Sequence, residues 1–127
     1  MTAGRKVLVV EDDEKSRRLM RDVLVFHGFD VTAVDSGEAG LREARLARPD
    51  AALLDVQLPG IDGLDVLRAL RAAYPEPRLP VLAVTASVMD TDRKNILAAG
   101  FDAYVPKPVH IRELLATLEA LLARAAA

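Results

Sequence analysis

Short apolar runs alternate with longer segments of helical period along the whole chain, and the connections between them are only a few residues long. This alternation constrains the fold more than any other feature. Lys6–Val10 (KVLVV) is β-branched and continuous, as befits a strand covered on both faces. Leu19, Met20, Val23, Leu24 and His27 then recur at helical spacing, and Gly28 stops that helix. Phe29–Val34 alternates, as a strand nearer a sheet edge would. Asp35 and Ser36 offer cap chemistry, and Glu38 stands in capping-box position relative to Asp35. Leu41, Ala44 and Leu46 mark the next helix, and Pro49 ends it. A strand at Ala51–Leu54 runs into Asp55, Pro59-Gly60 marks a loop, and Leu64, Leu67 and Leu70 trace a third helix. Pro80–Val84, Ile96–Ala99, Ala103–Val105 and the Ile111–Leu122 stripe complete the series. Strict β–α alternation with short links predicts a parallel sheet flanked by right-handed crossovers. The expected fold is therefore α/β: a flavodoxin-like, doubly wound, five-stranded parallel sheet of order 2-1-3-4-5 with five helices.

A chain of 127 residues has room for one core and not two, so residues 1–127 are expected to form a single domain. The formal charge is −2 and there is no long basic run, which argues against direct nucleic-acid binding and against an anionic membrane surface. Cysteine is absent, excluding disulfides and thiolate metal sites. No secretory signal stands at the start, and no apolar stretch reaches the ~20 residues that span a bilayer. The expectation is a soluble, cytoplasmic protein.

In doubly wound sheets, ligands bind beyond the carboxyl ends of the strands, near the point where strand order reverses. There the first strand delivers Glu11-Asp12-Asp13, the third Asp55, the fourth Thr85-Ala86 and the fifth Lys107. A dinucleotide or phosphate-loop site would require a glycine-rich turn after the first strand. A block of carboxylates stands there instead, and it repels phosphate unless a cation intervenes. Carboxylates converging from neighbouring strands suit a hard, oxygen-seeking cation. Mg²⁺ fits better than Ca²⁺, because it takes one or two carboxylates, keeps waters and accepts phosphate oxygens. One carboxylate can then serve as a nucleophile, with Lys107 and the Thr85 hydroxyl supplying alignment and charge neutralisation for phosphoryl transfer.

Four segments in order, Val9-Val10-Glu11-Asp12, Leu53-Leu54-Asp55-Val56-Gln57-Leu58-Pro59-Gly60-Ile61-Asp62-Gly63, Val84-Thr85-Ala86 and Ala103-Tyr104-Val105-Pro106-Lys107-Pro108, resemble the motifs of bacterial response-regulator receiver domains. The resemblance covers about residues 5 to 124 and is nearest to single-domain, chemotaxis-regulator-like receivers. It implies that Asp55 is the phospho-acceptor, attacking a phosphohistidine of a sensor histidine kinase or histidine phosphotransfer protein. It implies that Asp12 binds Mg²⁺ directly and Glu11 largely through water, with the Asp55 carboxylate and the Gln57 backbone carbonyl as further ligands. Lys107 would pair with phosphoryl oxygens, Thr85 would shift toward them, and Ala86 would stay small to leave them room. Tyr104 would follow Thr85 and reshape the face formed by the fourth helix, fifth strand and fifth helix, where a downstream protein target binds. A cis peptide is implied at Lys107-Pro108.

Several residues have plainer readings. Asp13 and Glu14 are acids at a helix start, favourable to its dipole. His27 is a helix-end histidine and His110 a weak cap, while Leu114 to Leu122 is core. Gln57 is expected to leave its side chain free to tune hydrolysis. Gly100-Phe101-Asp102-Ala103-Tyr104 lacks the Ala-Asp-Asp-Tyr run of winged-helix regulators, and no effector domain is expected within the chain. The resemblance implies a switch that catalyses only its own phosphorylation and dephosphorylation. Two other functions stay open: a phosphorylation-independent binding module, and a Mg²⁺-dependent aspartyl phosphohydrolase. The latter needs an acid two residues after its nucleophile, where Gln57 stands.

Overall fold

The computed structural model describes residues 4–86 and 90–126, apart from the side chains of residues 90–93 and 126. Its elements alternate without exception: β1 (Lys6–Val10), α1 (Glu14–Phe26), β2 (Asp30–Val34), α2 (Gly37–Leu46), β3 (Ala51–Asp55), α3 (Gly63–Ala73), β4 (Val81–Thr85), α4 (Asp90–Ala99), β5 (Ala103–Pro106) and α5 (Ile111–Ala126). All ladders are parallel, and the sheet has the order β2-β1-β3-β4-β5. The expected doubly wound topology is thus the one observed.

The pleat explains why three strands are apolar over most of their length. β3 and β4 are buried at every position, and β1 at every position after Lys6. Alternate residues enter two separate cores. Val7, Val9, Leu53, Leu82, Val84 and Val105 pack with Met20 and Leu24 of α1 and with Leu114, Leu118, Leu121 and Leu122 of α5. Leu8, Val10, Ala52, Leu54, Val81 and Ala83 pack with Ala44 of α2, Val66, Leu67 and Leu70 of α3, and Ile96 of α4. Each fully buried leucine or valine contributes about 1.5–3 kcal/mol relative to exposure, so a one-residue slip of any central strand would exchange its two sets of core contacts.

Helix boundaries follow local capping. Asp13 caps α1, its carboxylate accepting from Ser16 N at 2.9 Å. α2 is capped by Ser36, one of the two expected candidates, whose hydroxyl accepts from Ala39 N at 3.2 Å. The Glu38 carboxylate lies beside Gly60 instead of closing a box on Asp35. The capping box belongs to α3, where Asp62 and Asp65 each accept from the other's backbone N–H. The apolar periodicity overstates the buried faces, since Leu19 is 42% exposed and Leu46 76%.

At the amino-terminal edge of the sheet, Asp102 gathers Val81 N (2.8 Å), Arg71 Nη2 (2.9 Å) and Arg78 Nε (2.9 Å). Arg71 also bonds the carbonyls of Leu79 and Gly100. Partial burial works against the Asp102 charge, but the hydrogen bonds from Val81, Arg78 and Arg71 outweigh it and hold the carboxyl below its ordinary range. This clasp joins α3, β4 and the approach to β5 at the end of the molecule opposite the carboxylates.

Candidate functional site

Register decides which residues meet at the carboxyl edge. Val10 lies beside Leu54, Asp55 beside Val84 and Thr85 beside Pro106, so the strand ends stand level. Glu11 is the first residue beyond β1, Asp55 the last of β3, Thr85 the last of β4, and Lys107 the first beyond β5. Glu11 is fully buried, Asp55 is 6% exposed and Thr85 2%. Lys107 crosses from the far side of the cleft, with Nζ 2.5 Å from Glu11 Oε1 and 2.9 Å from Asp55 Oδ2. Its backbone N–H donates to Thr85 O at 2.8 Å, which ties the exit of β5 to the end of β4. The Lys107-Pro108 peptide is cis.

The loop after Asp55 is fixed by two backbone contacts. Gln57 N donates to Asp55 Oδ1 at 3.0 Å, leaving the Gln57 side chain exposed. Gly63 N donates to Val56 O at 3.0 Å, and this approach brings the start of α3 hard against the strand end. A β-carbon at Gly63 would lie 2.3 Å from Asp55 O and 2.7 Å from Val56 Cα, so only glycine fits. Gly63 closes the second sequence motif, but its steric duty is visible only where α3 meets the strand end.

The four consecutive acids divide into two pairs. Oxygens of Glu11, Asp12 and Asp55 can be chosen that all lie within 4.8 Å of one another. Asp13 turns away: its carboxylate is committed to Ser16, which holds its pKa below the ordinary value. Glu14 sits in the first turn of α1 and pairs loosely with Arg18 at 3.7 Å. Within the cluster, burial pushes Glu11 up to about 7, with Lys107 opposing and Asp55 reinforcing the shift. Desolvation works against the Lys107 charge, but its two carboxylate partners win and raise its pKa. Glu11 Oε2 accepts from Asp13 N at 3.1 Å, whereas Oε1 has no aligned hydrogen bond and faces the ammonium. Three carboxylates against one ammonium leave excess negative charge in a partly closed cleft. That donor set fits a hard divalent cation such as Mg²⁺.

Tyr104 lies on β5 beside Ala83, half-buried against the α2–α3–α4 side of the sheet. Ala86 is exposed just past Thr85. The two histidines stay outside the cluster. His27 is exposed with its ring edge-on to Phe26 at 5.4 Å, and His110 supplies the carbonyl that accepts from Leu114 N. Among the described residues no helix is long and apolar enough to cross a membrane.

The family model of the response regulator receiver domain matches residues 7–119. The chain belongs to that family. It is a receiver domain of two-component signalling, a signalling module whose family is phosphorylated on an aspartate. The chain is similar to the response regulator MprA of Mycolicibacterium vanbaalenii, at 42% identity over 119 residues, covering 94% of this receiver and 51% of that protein. The receiver thus spans about half the length of the curated relatives it matches. Among solved structures, it is similar to the receiver domain of the sensor histidine kinase PA1611 from Pseudomonas aeruginosa, at 36% identity with a TM-score of 0.86, covering 95% of this chain and 99% of that one. That protein has a magnesium ion coordinated in its active-site cleft. The chemotaxis protein CheY4 of Vibrio cholerae also superposes with a TM-score of 0.86, at 28% identity, covering 94% of this chain and 99% of that one.

Proposed function

We propose that this receiver takes a phosphoryl group onto Asp55 from a phosphohistidine of a sensor histidine kinase or histidine phosphotransfer protein, in the cytoplasm. An Asp55 carboxylate oxygen forms the new bond to phosphorus as the P–N bond to the imidazole breaks, and the histidine leaves with the bonding pair. The observation that carries this reading is the setting of Asp55: nearly buried at a strand end, aligned by Gln57 N at 3.0 Å, and 2.9 Å from the Lys107 ammonium. Glu11, Asp12 and Asp55, with the Gln57 carbonyl, would hold Mg²⁺, which when bound offsets the negative charge of the incoming phosphoryl group. Lys107 exchanges its carboxylate contacts for phosphoryl oxygens, and the Thr85 hydroxyl moves in to hydrogen-bond to them, over the space left by Ala86.

Phosphorylation adds close to two negative charges. They shift the population only as far as the rearranged state gains more from Lys107 and Thr85 than the resting state does. The rearrangement reaches Tyr104, which shares β5 with the approach to Lys107. Leu97 of α4 and Ile111 of α5 are 42% and 41% exposed, which suits a protein-binding output through these elements. The absence of an acid at Gln57 favours a switch over a turnover phosphohydrolase.

Intact-mass measurement after incubation with a small phosphodonor and Mg²⁺ tests the reading. One added phosphoryl group is expected, lost in Asp55→Asn and suppressed by a chelator. No gain, or an undiminished gain in Asp55→Asn, would overturn it.

A further inference from the structure

Resting on the reading of Glu11, Asp12 and Asp55 as the cation site, we propose that Arg17 is a positioning residue for that site. It locks the turn between β1 and α1 so that the acids point at the cation. Its guanidinium lies in α1 and reaches back along the helix, where Nη1 donates to Glu11 O at 3.0 Å and to Asp12 O at 3.3 Å. The neighbouring arginines behave differently. Arg18 pairs with Glu14 at 3.7 Å and Arg21 with Asp22 at 3.0 Å, both on the exposed surface. Among the described residues, half-buried Arg17 makes no ion pair, although acids surround the helix start. Its donors go to two consecutive carbonyls.

Those carbonyls belong to the peptides where the chain leaves strand geometry and turns into the α1 cap, Asp13, at φ −74° and ψ 119°. Fixing both carbonyls fixes both peptide planes, and with them the direction in which Asp12 leaves the backbone. Glu11 has a second restraint, because it is fully buried against the sheet. Asp12 is exposed, so packing does not aim it, and the backbone set by Arg17 does. Hydrogen bonds from a charged donor are among the stronger ones available for that task.

The sign of the effect separates positioning from simple charge. A guanidinium near the cleft repels a divalent cation through space, so its removal for electrostatic reasons alone would tighten Mg²⁺ binding. Loss of a group that orients metal ligands weakens binding, typically by about 10- to 100-fold.

Isothermal titration of the full chain with MgCl₂ reads this directly, comparing wild type with R17A, R17K and R18A. R17A is expected to weaken Mg²⁺ about 10-fold or more. R17K should lie between it and wild type, since an ammonium can serve one carbonyl. R18A removes the same charge from the adjacent residue and should leave the affinity within about twofold, as an exposed pair contributes little. With a small phosphodonor, R17A should need more Mg²⁺ for half-maximal phosphorylation while keeping its rate at saturating Mg²⁺. A purely structural role would lower the melting temperature and leave the Mg²⁺ affinity unmoved. If wild type binds no Mg²⁺, the cation-site reading itself fails. If wild type binds and R17A binds as tightly or more tightly, only the role of Arg17 is overturned. Should R17A not fold, R17K decides: weaker binding than R18A supports the proposal, and equal binding refutes it.

Discussion

Replacing Gly63 with alanine should damage this receiver more than its single added methyl group suggests. The new β-carbon would stand 2.3 Å from Asp55 O, 2.7 Å from Val56 Cα and 3.1 Å from Asp55 C. All three are backbone atoms, so no side-chain rotation relieves the clash. α3 must back away from the strand end, or the loop after Asp55 must move. Overpacking of this kind costs about 1–3 kcal/mol, with unyielding neighbours placing it at the upper end. Alanine recovers part of its ~1 kcal/mol helix advantage over glycine, and only part at a first helical position. The net loss is about 2–3 kcal/mol, or a fall of roughly 8–12 °C in melting temperature for a domain this size. Gly40→Ala is the comparison: its β-carbon would meet Val10 Cγ2 at 2.7 Å, a side-chain atom that can turn aside at smaller cost. Because Asp55 itself is displaced, the rate of phosphorylation in Gly63→Ala should fall at least ~10-fold under conditions where the protein remains folded. Thermal denaturation and intact-mass kinetics measure the two effects. A Gly63→Ala melting temperature within about 2 °C of wild type, or a larger loss in Gly40→Ala, would refute the steric account.

Lys107→Ala should leave slow phosphorylation of Asp55 in place but abolish the accompanying change in the Tyr104 ring resonances; a normal Tyr104 response on phosphorylation would count against Lys107 as the coupling group. Asp102→Asn should lower stability by about 2 kcal/mol at neutral pH through loss of its charged hydrogen bonds to Arg71 and Arg78. Asp102 is depressed in the folded state, so its contribution is present above the ordinary carboxylate value of 3.8 and vanishes as pH falls through the folded value. Urea titrations should therefore show wild type and mutant converging in acid, and a constant gap down to the lowest pH would contradict the assignment.

The fold was legible because its determinants are local. Val7 to Val10 and Ala51 to Leu54 read as strands covered on both faces, and every helix but α4 carried an apolar stripe. The candidate site was legible for a topological reason: parallel strands all end at one edge, so the residue after each apolar run names a neighbour of the next. What escaped was geometry that depends on contacts between elements. Nothing in the sequence separates Arg17 from Arg18 or Arg21, because their difference lies in which oxygen each guanidinium reaches. Asp35, Ser36 and Glu38 satisfied the spacing of a capping box, yet the backbone places the cap one residue later. Asp62 and Asp65 form the box with an aspartate at the position the usual pattern reserves for glutamate or glutamine.

The Lys107–Asp55 contact joins positions 52 residues apart, and Glu11 comes from the opposite end of the chain. The cluster needs β1, β3 and β5 together, and Lys107 emerges beyond the last strand. During synthesis, a nascent chain that has already folded β1 to β4 carries the acids without their ammonium. The carboxylate–ammonium cluster is therefore complete only once β5 has docked and brought Lys107 to the strand ends. On the role proposed for Lys107, a copy whose β5 has not docked would hold Asp55 without the ammonium that couples its phosphorylation to the Tyr104 face.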